Sequence, residues 1–205
     1  MRYLRTSFQI IRANLRTYAV LNAFMYGLFL IGMGAALVFP DLNAAQVASQ
    51  QEDGTADLVA ALLGNVWLFS LTIFAVNVLT VAVATILLPS MLVPFAGIVA
   101  FMYRAFNFGV TLAPVDETTA RLLVPHSLTI LIELQAYVLV TLAAYLLGRA
   151  WLRPKTVDAR NRRQGYVRGL RQVGWVSLPA LVLFVVGAVY EAVELIYIVP
   201  PLVTG

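Results

Sequence analysis

The run from Val124 to Trp151 is long enough to cross a bilayer and carries a histidine and a glutamate inside it. It opens Val124-Pro125-His126-Ser127, passes Glu133-Leu134-Gln135-Ala136-Tyr137 and then stays apolar. A charge at the centre of a membrane helix costs roughly 2.5–3.5 kcal/mol on insertion scales, so a chain keeps one where it faces protein or water rather than lipid. Glu133 follows His126, the sole histidine, by seven residues. That is about two helical turns, so both side chains project from nearly one face. The remaining segments are expected to pack around this helix.

Composition agrees with a chain built in lipid. Of 205 residues, 61% are hydrophobic and 12% charged, where a soluble domain carries about 25% charged residues. The fold class expected is all-α, a polytopic membrane protein. The absence of cysteine excludes disulfides, thiol nucleophiles and thiolate metal sites. A single histidine excludes a histidine-rich metal site, and neither HExxH nor Gly-x-Ser-x-Gly occurs. Ser127 adjoins His126 in sequence, which is poor geometry for a Ser–His pair. His126, Glu133 and Glu191 are the one set that a metal would find, and a catalytic zinc wants three protein ligands with an open position. No cofactor and no enzymatic activity are expected.

Residues 1–17 read as a basic amphipathic helix, with Leu4, Phe8, Ile11 and Leu15 in one stripe and Arg2, Arg5, Arg12 and Arg16 beside it. Residues 18–205 read as one five-helix membrane domain, with spans near 18–39, 64–88, 92–112, 124–148 and 174–199. The segment 40–57 holds Asp41, Glu52, Asp53 and Asp57 and no basic residue, so it reads as a short external loop without a folded ectodomain. Residues 58–113 exceed one span, and Pro89-Ser90 with Pro94 suggest a tight turn at 89–94. Residues 114–124 read as a second short external loop, and Pro200-Pro201 as the stop of the last helix.

Arg149, Arg153, Lys155, Arg160, Arg162, Arg163, Arg168 and Arg171 oppose Asp158 alone and mark the main cytoplasmic loop. With the four N-terminal arginines they make twelve of the fourteen basic residues. The expected topology has the N-terminus cytoplasmic and the C-terminus external, in the cytoplasmic membrane. The basic loop suits lipid headgroups or a cytoplasmic partner, and the charge pattern is one of topology rather than of nucleic-acid binding.

The polar residues inside the spans are the candidate site: Asn77, Arg104, Asn107, His126, Glu133 and Glu191. Asn77 suits an interhelical hydrogen bond. Arg104 either snorkels to the outer interface or pairs with an intramembrane carboxylate. His126 and Glu133 are about 10 Å apart along one helix, so each needs a partner from another. Depth predicts an outer cluster of His126, Asn107 and Glu191, and a deeper contact between Glu133 and Asn77. Glu191 is expected to face protein, and Glu194 water or headgroups.

Three stretches resemble the stage II sporulation protein M family of integral membrane proteins. Ile73-Phe74-Ala75-Val76-Asn77, with the run to Asn107-Phe108-Gly109, is similar to the family's asparagine-bearing helix and Asn-Gly element, with Phe108 interposed. Pro125-His126 leading to Glu133-Leu134-Gln135-Ala136 resembles Pro-His-Gly then Glu-Leu-Pro-Ala, with Ser127 for the glycine and Gln135 for the proline. Tyr190-Glu191-Ala192 with Pro200 is similar to the Ile-Glu-Ala…Pro ending of the last helix. The likeness covers roughly residues 66–201. It implies a divergent member of a family whose sporulation representative acts with cell-wall-degrading partners. It names no reaction.

Two functions fit these residues best. One is a non-enzymatic membrane subunit or scaffold, its partners the bilayer, other membrane proteins and, in some forms, a second copy of itself. The other is a permease component using His126 and Glu133 as a proton path, although no inverted repeat is visible among the helices.

Overall fold

The computed structural model describes residues 2–52 and 54–204. Asp53 and the side chains of Arg2 and Leu4 lie outside the described residues. Those residues form helices and turns, with no strand among them. The chain runs α1 (Arg2–Ala13), α2 (Leu15–Val38), α3 (Pro40–Glu52) and α4 (Thr55–Leu62). Then comes α5, which starts at Val66–Ala75, widens into a π-helix over Val76–Leu87 and closes as Leu88–Leu92. After α6 (Ala96–Thr111) and α7 (Glu117–Leu152) comes α8, with Arg162–Val193, a π turn at Glu194–Ile198 and a last piece, Val199–Thr204.

The helix that carries His126 and Glu133 is the axis of the molecule. In α7, 67% of the apolar stretch is buried, against 22%, 17% and 28% in the other long apolar helices. It packs most extensively on α8, its antiparallel neighbour, while α2 and α6 form the next largest seam. Tyr137, Leu142, Leu146 and Leu147 are fully or almost fully enclosed. Phe24, Leu30, Leu71, Leu79 and Val185, on the surrounding helices, are exposed, as expected of faces that meet lipid.

Among the described residues, four helices are long and apolar enough to cross a membrane: Leu15–Val38, Val66–Leu92, Glu117–Leu152 and Arg162–Leu202. The third of the five expected spans, 92–112, forms only the 16-residue α6, about 24 Å at 1.5 Å per residue and short of a hydrocarbon core of about 30 Å. The reversal before it is tighter and later than expected, at 93–95. Pro89 and Ser90 stay helical, and Phe95 turns the chain with a left-handed φ of 69°. The Ser90 hydroxyl accepts the Gly97 N–H at 3.0 Å across the turn.

The polar segment after α2 is helical rather than a loop. Asn43 on α3 donates to the carbonyls of Val110 (2.8 Å) and Thr111 (3.1 Å). It thereby serves groups at the C-terminus of α6 that have no partner within the helix. Residues 114–124 likewise contribute most of their length to α7. Asp116 caps that helix, its carboxylate accepting the Thr119 N–H at 2.8 Å. That hydrogen bond from the Thr119 backbone holds the exposed Asp116 carboxyl below its usual pKa.

The basic segment is mostly helical as well. Arg149 closes α7 with its guanidinium 5.8 Å from the Tyr145 ring centroid. Arg153, Lys155 and Arg160 lie in the connection, which includes a 3₁₀ turn at Pro154–Val157. Arg162, Arg163, Arg168 and Arg171 sit on α8, and Arg168 donates to the Val157 carbonyl at 2.6 Å. In α1 the buried face is Ser7 and Ile11, packed on α8, while Phe8 and Leu15 of the expected stripe are exposed. Pro200-Pro201 does not stop the last helix, which continues to Thr204.

Candidate functional site

Four side chains on α7, His126, Thr129, Glu133 and Tyr137, are spaced to rise along one face. Each meets a partner from another helix. Asn77 is the hub of the deeper contacts. Its amide N–H donates to Glu133 Oε1, and its carbonyl accepts the Tyr137 hydroxyl at 2.8 Å. The expected Glu133–Asn77 contact is therefore present, with Tyr137 as an addition. Gly187 on α8 makes room for Glu133, since a Cβ there would meet Glu133 Cγ at 3.1 Å.

The outer cluster has a different membership from the one expected. His126 Nδ1 lies 3.0 Å from Glu194 Oε1, and the Thr129 hydroxyl donates to Glu194 Oε2 at 2.6 Å. Glu194 is 0% exposed, so the expectation that it faces water or headgroups is overturned. Asn107 donates along its own helix to the Tyr103 carbonyl at 3.1 Å and stands apart from His126. Glu191 adjoins Glu133, their carboxyl groups within hydrogen-bonding reach, and lies within electrostatic reach of His126. Tyr190 donates to the Pro125 carbonyl at 3.2 Å and ties α8 to α7 next to His126.

The backbone widens where Asn77 and Glu194 stand. Each stands at or next to the start of a π segment, Val76–Leu87 and Glu194–Ile198. A proline follows each segment, Pro89 and Pro200. A proline offers no N–H to the preceding turn and crowds its carbonyl, which distorts the turns before it. The wider winding is visible in the Thr85 hydroxyl, which donates to the Thr80 carbonyl five residues back at 2.8 Å.

Arg104 does not pair with an intramembrane carboxylate among the described residues. Its guanidinium lies 5.6 Å from the Phe108 ring centroid, and among the described residues it makes no ion pair. Its Nε is buried without a hydrogen-bond partner.

These groups converge on a cavity of about 390 Å³. Asn77, Arg104, His126, Glu133, Tyr137 and Glu191 line it, together with apolar side chains from α2, α4, α5 and α6. A second cavity of about 230 Å³ adjoins it and shares His126, Thr111 and Leu112 as wall. His126 is thus a partition between the two, with Glu194 in the wall of the smaller one. The arrangement offers a cation, an imidazole and three carboxyl groups in a largely apolar enclosure.

A model of the family described as stage II sporulation protein M matches residues 23–193. The chain belongs to this family. The family's span takes in all six residues expected for the site and ends one residue before Glu194. No curated protein and no solved structure matches the chain in the corresponding comparisons. Within the family's span, the Asn77–Glu133 contact joins the asparagine-bearing helix to the His–Glu helix. Gln135, which stands where the family resemblance places a proline, ties α7 to α2. Its side chain accepts the Tyr18 hydroxyl at 2.6 Å and donates to Asn22 Oδ1 at 2.5 Å.

Sequence reasoning missed this second network and Glu194. Gln135 was a visible signal, an amide within a membrane-length run. Glu194 had one as well, its spacing of three residues from Glu191, which sets both carboxyl groups on one helical face.

Proposed function

We propose that the chain is a non-enzymatic subunit of a multiprotein complex in the cytoplasmic membrane. The observation that carries this reading is the use made of the intramembrane polar groups. Asn77, Glu133 and Tyr137, then His126, Thr129 and Glu194, then Gln135, Tyr18 and Asn22, hold helix to helix. Groups used in this way fix the shape of a bundle that partners dock against. Family membership supports the same reading. In this proposal α6 crosses as a short fifth segment, the N-terminus lies in the cytoplasm and the C-terminus outside. The basic end then meets anionic headgroups or a cytoplasmic partner.

Purification of the tagged chain from native membranes in mild detergent tests the subunit reading. A second membrane protein should be retained in fixed ratio. Recovery of the chain by itself, or as a self-oligomer alone, would overturn the complex. Reporters at residues 50, 160 and 205 test the orientation, with 160 on the opposite side from the other two.

A second reading, a permease component, is favoured by the cavity and the carboxyl groups in its wall. Proton-coupled uptake in proteoliposomes, lost in Glu133→Gln, would replace the first reading with this one.

A further inference from the structure

The cavity beside α7 has charged groups that the helix-to-helix contacts leave unused. Arg104 is the plainest. Its guanidinium lines the cavity, rests on the Phe108 ring, keeps a buried Nε unpartnered and meets no carboxylate at ion-pair distance among the described residues. An unpaired arginine within a membrane bundle is expensive, and an anion at its guanidinium removes most of that cost. Glu191 lines the same cavity beside Glu133. Asn77 serves one oxygen of Glu133. Two carboxyl groups side by side favour a cation between them. The rest of the wall is mostly apolar, including Phe29, Leu62, Phe69 and Ile73.

We propose that this cavity binds the head of a zwitterionic molecule, with an anionic group on Arg104 and an ammonium on Glu191 and Glu133. A volume of about 390 Å³ is at the small end of ligand sites, which run from about 300 to 1,000 Å³. It accommodates a headgroup or a compact solute, and a long acyl tail leaves it. The shared chemistry is an ammonium a few bonds from a phosphate or carboxylate. An aminophospholipid and a soluble amino-acid-like solute both carry it.

The test uses the purified full chain in detergent, titrated with phosphatidylethanolamine, phosphatidylglycerol, O-phosphoethanolamine and 4-aminobutyrate. Thermal melting and native mass spectrometry report binding. Saturation by phosphatidylethanolamine alone assigns a lipid, and saturation by a soluble zwitterion assigns a solute. Either outcome supports the site when Arg104→Gln and Glu191→Gln each raise the half-saturating concentration about tenfold or more, the worth of a charged hydrogen bond. Thr72→Phe fills the cavity from α5 without touching either charge and abolishes binding. It decides the matter if Arg104→Gln does not fold. The proposal is overturned if no zwitterion binds, if phosphatidylglycerol binds as well as phosphatidylethanolamine, or if Thr72→Phe binds like the native chain. These outcomes do not depend on whether a partner protein is captured.

Discussion

The two halves of α7 solve the same packing problem by opposite means. From His126 to Tyr137 the helix is held by side-chain hydrogen bonds to its neighbours, around open volume. From Val138 to Ala150 it is held by contact alone. There nearly every residue is buried, and the Thr141 hydroxyl turns back to the Tyr137 carbonyl at 2.8 Å. Gly148 admits the Phe95 ring so closely that a Cβ would lie 2.6 Å from Cε1. The lower half is a close-packed solid, and the upper half is a frame of polar ties. One helix therefore carries both the rigidity of the fold and the space in which a site can exist.

The contrast can be broken most severely at Glu194. Glu194→Ala strips the partner from both His126 and Thr129 and should cost about 2–3 kcal/mol. Detergent melting of this variant should fall well below that of Glu191→Ala, and the reverse order would remove Glu194 from the centre of the outer cluster. Next comes Gly148→Val, which forces a branched side chain against Phe95 and should cost about 2 kcal/mol by overpacking. A native-like melting temperature would show that the lower half is softer than drawn. Asn77→Ala severs the ties to Glu133 and Tyr137. Interhelical bonds in membranes average about 0.6 kcal/mol, so a loss of about 1 kcal/mol is expected in a reversible unfolding titration. The smallest effect belongs to Thr141→Val, whose hydroxyl ties no second helix. A change below about 0.5 kcal/mol sharpens the contrast, and a loss as large as that of Asn77→Ala erases it.

Much of the lower half was legible in the sequence. A run of apolar and small residues after Tyr137 has no alternative to burial, and its length sets its direction across the bundle. The Glu133–Asn77 contact was legible too, because depth follows from counting residues along two helices of regular rise. Glu194 faces the interior along with Glu191, because the chain is helical between them and a spacing of three residues sets both carboxyl groups on one face, where depth alone places Glu194 at the interface. Where the rise ceases to be regular, counting fails. The widening in α5, together with the late turn at Phe95, spends residues that a straight count assigned to a fifth full span. Segment 40–57 looked like a loop because it is polar and holds acidic residues without a basic one. Its first part, α3, is instead helical and tied by one asparagine to the end of α6.

The partners of the polar ladder have a consequence for how the chain is made. His126, Thr129 and Glu133 on α7 meet Glu194 and Glu191 on α8, and these two helices follow one another directly in the chain. A helix released singly into lipid would expose each of these groups to hydrocarbon. Released together as a hairpin, with the basic connection between them, the two helices present the ladder to each other and an apolar surface to the bilayer. Biogenesis therefore favours delayed lateral exit, with α7 waiting for α8. The same carboxyl groups that shape the finished interior are thus a physical reason for the two helices to enter the membrane as a pair.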